Sequence, residues 1–315
     1  MAALSDQNEA YISPYFTLHT LADGVYAAII TPGTGAYGNA GIVDLGDATL
    51  VFDTFFTLQA AQSLRVAAER LTGRRVTYVV NSHYNSDHIH GNQVFTDAVV
   101  ISTIGSRDLI ATRGVKILAE MKAHPESEEI AAQLAQAQDE RTRRSLEIDL
   151  GEARALEASL PALELRLPSV LFERRLVIEG SRRRVELLSL GGGHTDSDVF
   201  LLVSDAKVAF LGDLLFTKSH PSIWTERPDG WIDILSQIER MDIATAVPGH
   251  GPLGTLADVA TLRQYWEEMR TLADSLVRSG ATAEDIAQTP IPARYTDWQW
   301  PEGYTQTLQK LAQDD

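Results

Sequence analysis

The stretch NSHYNSDHIHGN at residues 81–92 holds three imidazoles and a carboxylate, and three more groups of the same kind follow far downstream at His194, Asp213 and His250. Imidazole nitrogens and carboxylate oxygens are ligands for zinc and related divalent cations, which acidify bound water and polarise carbonyls. Asp87 and His88 are adjacent where an apolar run gives way to a predicted helix, so they can face a point from one side while His83 faces it from the other. The chain contains no cysteine, which excludes thiolate ligands, cysteine nucleophiles and disulfides. Any metal must therefore be held by His, Asp, Glu, Asn or water.

Positioning these groups falls to five short apolar or alternating runs, each ending in a polar residue able to do chemistry. They are ATLVFDT (48–54), VTYVVNSH (76–83), VELLSLGGGH (185–194), VAFLGD (208–213) and TAVPGH (245–250). Their length and β-branched content predict buried strands, and sites in layered α/β proteins gather where strands end. The expectation is that His83, His194, Asp213 and His250 meet at one edge of the sheets. Glycines in GGGHTDSD, FLGD and PGHG allow the tight bends that fix the last three. Polar groups at so many buried strand ends would be costly without a shared partner.

From residue 104 to 165 the composition shifts to Ala, Leu, Glu, Gln and Arg, as in EEIAAQLAQAQDERTRRSLEIDLGEARALEASL. This predicts a helical insert, with Pro125 and Ser127 as start signals. It reads as a solvated helical pair packed on the core, with a substrate lid or a homodimer arm as the other readings. A C-terminal helical extension covers 256–315; within it Trp298, Trp300 and Tyr304 read as a plug packing the tail onto the body. The whole chain, 1–315, is expected to be one domain.

In its order of motifs the chain resembles the metallo-β-lactamase-fold hydrolases, marked by H-x-H-x-D-H followed by separate metal-binding His, Asp and His residues. Here the motif runs His83-Tyr84-Asn85-Ser86-Asp87-His88, then His194 in GGGHTDSD, Asp213 in LGD and His250 in PGHG, over about residues 15–255. The resemblance implies a four-layer αββα sandwich with the site at one edge. It also implies His83 and His194 on a first metal, Asp87, His88 and His250 on a second, and Asp213 bridging, with a bridging hydroxide as nucleophile. Asp87 and Asp213 are then the catalytic carboxylates, and the cofactor is zinc, one or two ions per chain. Asp53 and Asn39 are placed to hold ligands in orientation, strand-end capping being the other reading of Asn39.

Asn85 departs from the pattern, standing where a second motif histidine would bind the first metal. An amide oxygen is a neutral, weaker zinc ligand than imidazole, so the first site should lose affinity while the second keeps all its ligands. Three outcomes follow: a weak first site completed by Asn85 or water, a mononuclear enzyme on Asp87, His88 and His250, or one iron on His83, His194 and Asp213. The last is a set of two histidines and one carboxylate like that of non-haem iron oxygenases, and similar to the persulfide dioxygenases of this fold. His90, three residues after Asp87, is a candidate stand-in for the missing imidazole or a supporting contact. His220 and Trp224, in LLFTKSHPSIW just beyond Asp213, are candidates for the pocket wall.

A formal charge of −16 and a pI near 4.9 argue against nucleic acid and anionic membrane as partners. The N-terminal MAALSDQNEAYISPYF lacks a basic region followed by an apolar one, and no apolar run approaches the roughly 18 to 20 residues of a spanning helix, which predicts a cytoplasmic protein. The resulting expectation is a zinc hydrolase of a small ester, thioester, lactone or amide. The competing expectations are an Fe²⁺ oxygenase acting on a sulfur substrate and a catalytically silent metal-binding protein.

Overall fold

The computed structural model describes residues 11–225 and 229–313. Residues 1–10, most of the segment that lacks a leader pattern, lie outside the described residues. One sheet contains seven strands in chain order: β1 (Phe16–Ala22), β2 (Val25–Ile30), β3 (Ala40–Asp44), β4 (Thr49–Phe52), β5 (Val76–Val80), β6 (Val99–Thr103) and β7 (Val170–Phe172). Pairing is antiparallel as far as β4 and parallel from β4 to β7. The second sheet contains β8 (Arg175–Glu179), β9 (Arg184–Leu188), β10 (Phe200–Val203), β11 (Val208–Phe216) and β12 (Thr245–His250). It is antiparallel except for the parallel β11–β12 pair.

Side-chain alternation explains the layering. Along β11, Val208 and Phe210 enter a core shared with Leu50, Phe52 and Val80 of the first sheet, whereas Ala209 and Leu211 face the opposite way into the outer helices. A strand buried on both faces reads as a continuous apolar run, which is what VAFLG is. The first sheet's outer face is covered by helix Leu58–Thr72, capped by the Thr57 hydroxyl and ended by Gly73 at a φ of 70°. The second is covered by helices Asp229–Ile238 and Leu256–Arg278. Helix, sheet, sheet and helix form a four-layer αββα sandwich. Among the described residues no helix is long and apolar enough to cross a membrane.

The region between β6 and β7 is helical, with Val115–Ala123, Ser127–Gln136 and Glu140–Ser159 as its longer elements. Several hydrogen bonds tie it to the body, among them Ser159 to Leu58 and Gln59 and Ser106 to the Ser197 carbonyl. The buried Glu152 accepts hydrogen bonds from the backbone N–H groups of Gly33 (2.6 Å) and Gly35 (2.7 Å), and Arg141 donates to the carbonyl of Thr296 at 2.9 Å.

After β12 the chain packs helices Leu256–Arg278 and Pro301–Leu311 onto the second sheet. Trp298 and Tyr304 are buried in that contact; Trp300 is only half-buried and lies on Gly303. His220 is enclosed with them, its ring centroid 5.5 Å from Trp298, 5.7 Å from Tyr265 and 5.8 Å from Tyr304. Burial, reinforced by the charge of Arg141, pushes this imidazole down to about 4 from 6.5. The unfolded chain therefore takes up a proton near pH 6.5 that the folded chain refuses until about 4, so stability is full above that window and falls as pH descends through it. We expect this group to remove about 2 kcal/mol between pH 7.5 and 5. Urea unfolding of wild type and His220→Phe at both pH values should show a smaller loss in the variant; equal losses would mean the imidazole is protonated in place.

Candidate metal centre

The ends of β5, β11 and β12 converge, and the loop from β9 to β10 closes over them. His83 follows β5 by three residues, Asp213 lies within β11, and His250 ends β12. His194 stands six residues past β9 rather than at a strand end, because the glycine run 191–193 carries the chain away before it turns back. Asp87 and His88 occupy the short helix Ser86–Ile89.

These six side chains assemble into two trios, His83 with His194 and Asp213, and Asp87 with His88 and His250; within each, the ligand-capable atoms lie within 4.8 Å of one another. Asp213 joins them. Its Oδ2 is 3.2 Å from His194 Nε2, 3.4 Å from His250 Nε2 and 3.7 Å from His83 Nε2, and its Oδ1 is 3.2 Å from His88 Nε2. Asp87 Oδ2 lies 3.0 Å from His88 Nε2 and 3.2 Å from His250 Nε2.

The four histidines are held from behind. Asp53 accepts from His88 Nδ1 at 2.8 Å and from the Ser82 N–H at 2.7 Å, from a left-handed backbone with a φ of 61°. A non-glycine residue in that region is strained, and strain of this kind persists where surrounding contacts over-determine it. His83 Nδ1 lies 2.8 Å from Ser82 Oγ, and His194 Nδ1 donates to the Ser222 carbonyl at 3.0 Å. Asn39 donates to the carbonyls of Pro248 (3.0 Å) and Gly251 (2.9 Å), clasping the turn that bears His250. Asn81 and Asn92 exchange a reciprocal pair of 2.9 Å amide bonds behind the His88 carbonyl.

Burial opposes charge on every member, and the neighbours decide the outcome. The carboxylates around His88 and His250 outweigh burial, raising His88 above its ordinary value and His250 to about 10. Burial prevails at His83, aided by His88, and at His194, so both are held below the usual imidazole value. Burial would raise Asp213 too, but the imidazoles of His250 and His88 hold it well below the carboxylate range. An ion entering the site would displace protons from His88 and His250.

Four buried atoms at the centre lack a hydrogen-bond partner among the described residues: His83 Nε2, Asp87 Oδ2, His88 Nε2 and Asp213 Oδ1. Buried polar atoms are rarely left so, and these belong to side chains that stand within ion-pair distance of one another, a donor set that fits a divalent cation. Space is kept open by Gly38, where a Cβ would stand 2.8 Å from His88 Cε1 and 3.0 Å from Asp87 Oδ2.

The other expected residues fall elsewhere. Asn85 places Nδ2 at 3.0 Å from His194 Nε2. His90 belongs to neither trio; its ring stacks on Phe56 at 5.5 Å and its Nδ1 donates to the Phe56 carbonyl. His220 is fully buried against the C-terminal aromatics rather than facing a pocket, because the chain after β11 turns that side chain into the core. Trp224 is 46% exposed and its backbone N–H donates to the His194 carbonyl at 2.8 Å. Sequence reasoning did not single out Tyr37, 39% exposed with its ring edge-on to His250 at 5.7 Å. Nor did it find Asp198, which accepts from Gly193 and Thr195 to shape the His194 turn and which burial pushes up to about 7. Asp198 was legible as the last acid of GGGHTDSD; a role for the Ser222 carbonyl leaves no mark in sequence.

No curated protein matches the chain. Among solved structures it is similar to a metallo-beta-lactamase from Pontibacter korlensis, with a TM-score of 0.58 and 14% identity over 80% of this chain and 99% of that one. It is also similar to the DIM-1 metallo-beta-lactamase in a crystal exposed to ceftazidime, with a TM-score of 0.57 and 12% identity over 81% and 98% of the two chains. Likeness at this identity concerns the fold. The family model for the metallo-beta-lactamase superfamily matches residues 33–250, a span that takes in both trios and more than half of the chain. The chain belongs to the metallo-beta-lactamase superfamily.

Proposed function

We propose that this chain is a metal-dependent hydrolase of a small ester, thioester, lactone or amide, with His83, His194 and Asp213 as one ligand set and Asp87, His88 and His250 as the other. The observation that carries the reading is the gathering of six ligand-capable side chains into two trios linked by Asp213, with four of their buried atoms making no hydrogen bond among the described residues. A divalent ion of the zinc type, when bound there, supplies polarisation of a substrate carbonyl and a water acidified to a pKa of roughly 7.

The chain's own groups have distinct tasks. Asp53 holds the Nδ1 proton of His88 and the Ser222 carbonyl that of His194, so Nε2 is the nitrogen each ring offers to an ion, on His194 as a lone pair and on His88 once its second proton is displaced. Asp87 and Asp213 stay ionised beside the imidazoles and are the carboxylates positioned to hold charge at the reacting centre. Tyr37, its ring edge-on to His250, offers exposed aromatic surface beside the centre, suited to an apolar part of a substrate. The net charge of −16 favours a carboxyl-derived substrate over a polyanionic one.

Asn85 governs metal number. With His194 Nδ1 committed to a carbonyl, Nε2 accepts from the Asn85 amide at 3.0 Å, so a cation competes with an N–H for that lone pair. A half-turn of the amide presents its oxygen instead, a neutral and weak ligand. A second reading, one Fe²⁺ on His83, His194 and Asp213, draws support from the donor set of that trio, two imidazoles and one carboxylate within reach of one another. It leaves Asp87, His88 and His250 without a task.

Purified protein assayed against an ester, thioester, lactone and amide panel in Zn²⁺ should turn over at least one member. Iron content with oxygen uptake on a persulfide would favour the iron reading instead, and metal binding without any turnover would leave a silent binding protein. Metal analysis beside an Asn85→His variant should find fewer tightly held ions in wild type; two full equivalents in both would sink the weakened-site argument. Asp213→Ala, which removes the group shared by the trios, should lose metal from both. One ion retained at wild-type affinity would remove Asp213 from the bridging role.

A further inference from the structure

His194 depends on a part of the chain that the superfamily match does not reach. The match ends at residue 250, whereas the segment that presents the Ser222 carbonyl to His194 is held from behind by the C-terminal region. Residues 217–225 contain no helix and little strand, and their shape is imposed by outside contacts. His220 N–H donates to the Gln299 carbonyl at 3.0 Å and Gln299 N–H to the Lys218 carbonyl at 2.9 Å. Further along, the Thr307 hydroxyl donates to the Pro221 carbonyl at 3.0 Å and Lys310 Nζ reaches the Ile223 carbonyl at 3.4 Å.

The alternation matters. Successive carbonyls of an extended chain point to opposite sides. The carbonyls of Pro221 and Ile223 are both taken by helix Pro301–Leu311, so the carbonyl between them, Ser222, is turned the other way, onto His194 Nδ1. A ring nitrogen facing a carbonyl carries the proton, which leaves the lone pair on Nε2, the atom 3.2 Å from Asp213. The Trp224 N–H completes the link by donating to the His194 carbonyl.

We propose that helix Pro301–Leu311, through Thr307 and Lys310, is a positioning element for His194: it sets the tautomer and direction of that imidazole from outside the superfamily's matched span. The inference rests on the metal-centre reading for its consequence, namely that the His83 trio loses affinity when the helix contact is broken while the Asp87 trio does not. Thr307 is buried, and Thr307→Val keeps its shape while removing the hydroxyl donor. Thr307→Ser restores the donor, and Lys310→Met breaks the second contact at a less enclosed position.

In the full chain, long-range ¹H–¹⁵N spectra of the imidazoles read the His194 tautomer before metal is added, and Co²⁺ titration followed by visible absorption reads the two sites afterwards. We expect Thr307→Val and Lys310→Met to lose the single Nδ1–H form and to weaken one Co²⁺ site by about 10-fold or more, with Thr307→Ser close to wild type. An unchanged tautomer and Co²⁺ affinity in both variants, even with a lowered Tm, would reduce the helix to packing and overturn the proposal. If wild type itself takes up no Co²⁺, the metal reading falls, and the tautomer spectra alone decide whether the helix positions His194.

Discussion

A carboxylate buried to 4% exposure within 3.7 Å of four imidazoles is the constraint around which this molecule is arranged. Alone in the interior, Asp213 would take up a proton, since the cost of burying an unpaired anion exceeds that of neutralising it. Its neighbours hold it ionised instead. That requires β11 to bring the carboxylate exactly where β5, β12 and the His194 turn deliver their rings, and the parallel β11–β12 pair does so with Gly249 against the Asp213 side chain, where any side chain would collide. The register of the second sheet and the geometry of the centre are thus one requirement.

The first sheet meets the same requirement from its own side. Its parallel strands β4 and β5 end together, so Asp53 and Ser82 come into hydrogen-bond contact and the Asp53 carboxylate reaches His88. Asn39, at the start of β3, bonds to the turn after β12 in the other sheet. The centre is therefore fixed by bonds across the sandwich as well as within each sheet, and the inter-sheet core of Leu50, Phe52, Val80, Phe210 and Val247 keeps the two edges in register.

What the sequence made legible follows from the period of a strand. Apolar runs such as VTYVV and VAFLG, each followed by a polar residue, foretold both the strands and the edge at which His83, Asp213 and His250 meet. His194 was found by its motif, although the strand it follows ends six residues earlier. Long-range partners were not legible. Nothing in LLFTKSHPSIW distinguishes His220, whose ring turns into the core, from Trp224, whose ring stays exposed, because the choice is made by a helix some eighty residues later. The same holds for Asn39, whose amide could cap its own strand as readily as clasp a distant turn.

The helical insert shows how a charged segment acquires a structural duty that composition conceals. Most of its acidic residues are exposed, yet Glu152 is 4% exposed and accepts from Gly33 and Gly35 in the loop that carries Tyr37 to His250. Burial raises this carboxyl above its ordinary value and the two N–H groups pull the other way. Swinging the insert away would strand two backbone donors and a carboxylate at once, at a cost of several kcal/mol unless water replaced every bond. Gly151 tightens the same contact, since a Cβ there would run into the Gly33 carbonyl. A segment seated in this way is poorly built to open freely as a lid, and its bonds to Gly33 and Gly35 anchor the loop that sets the Tyr37 ring beside His250.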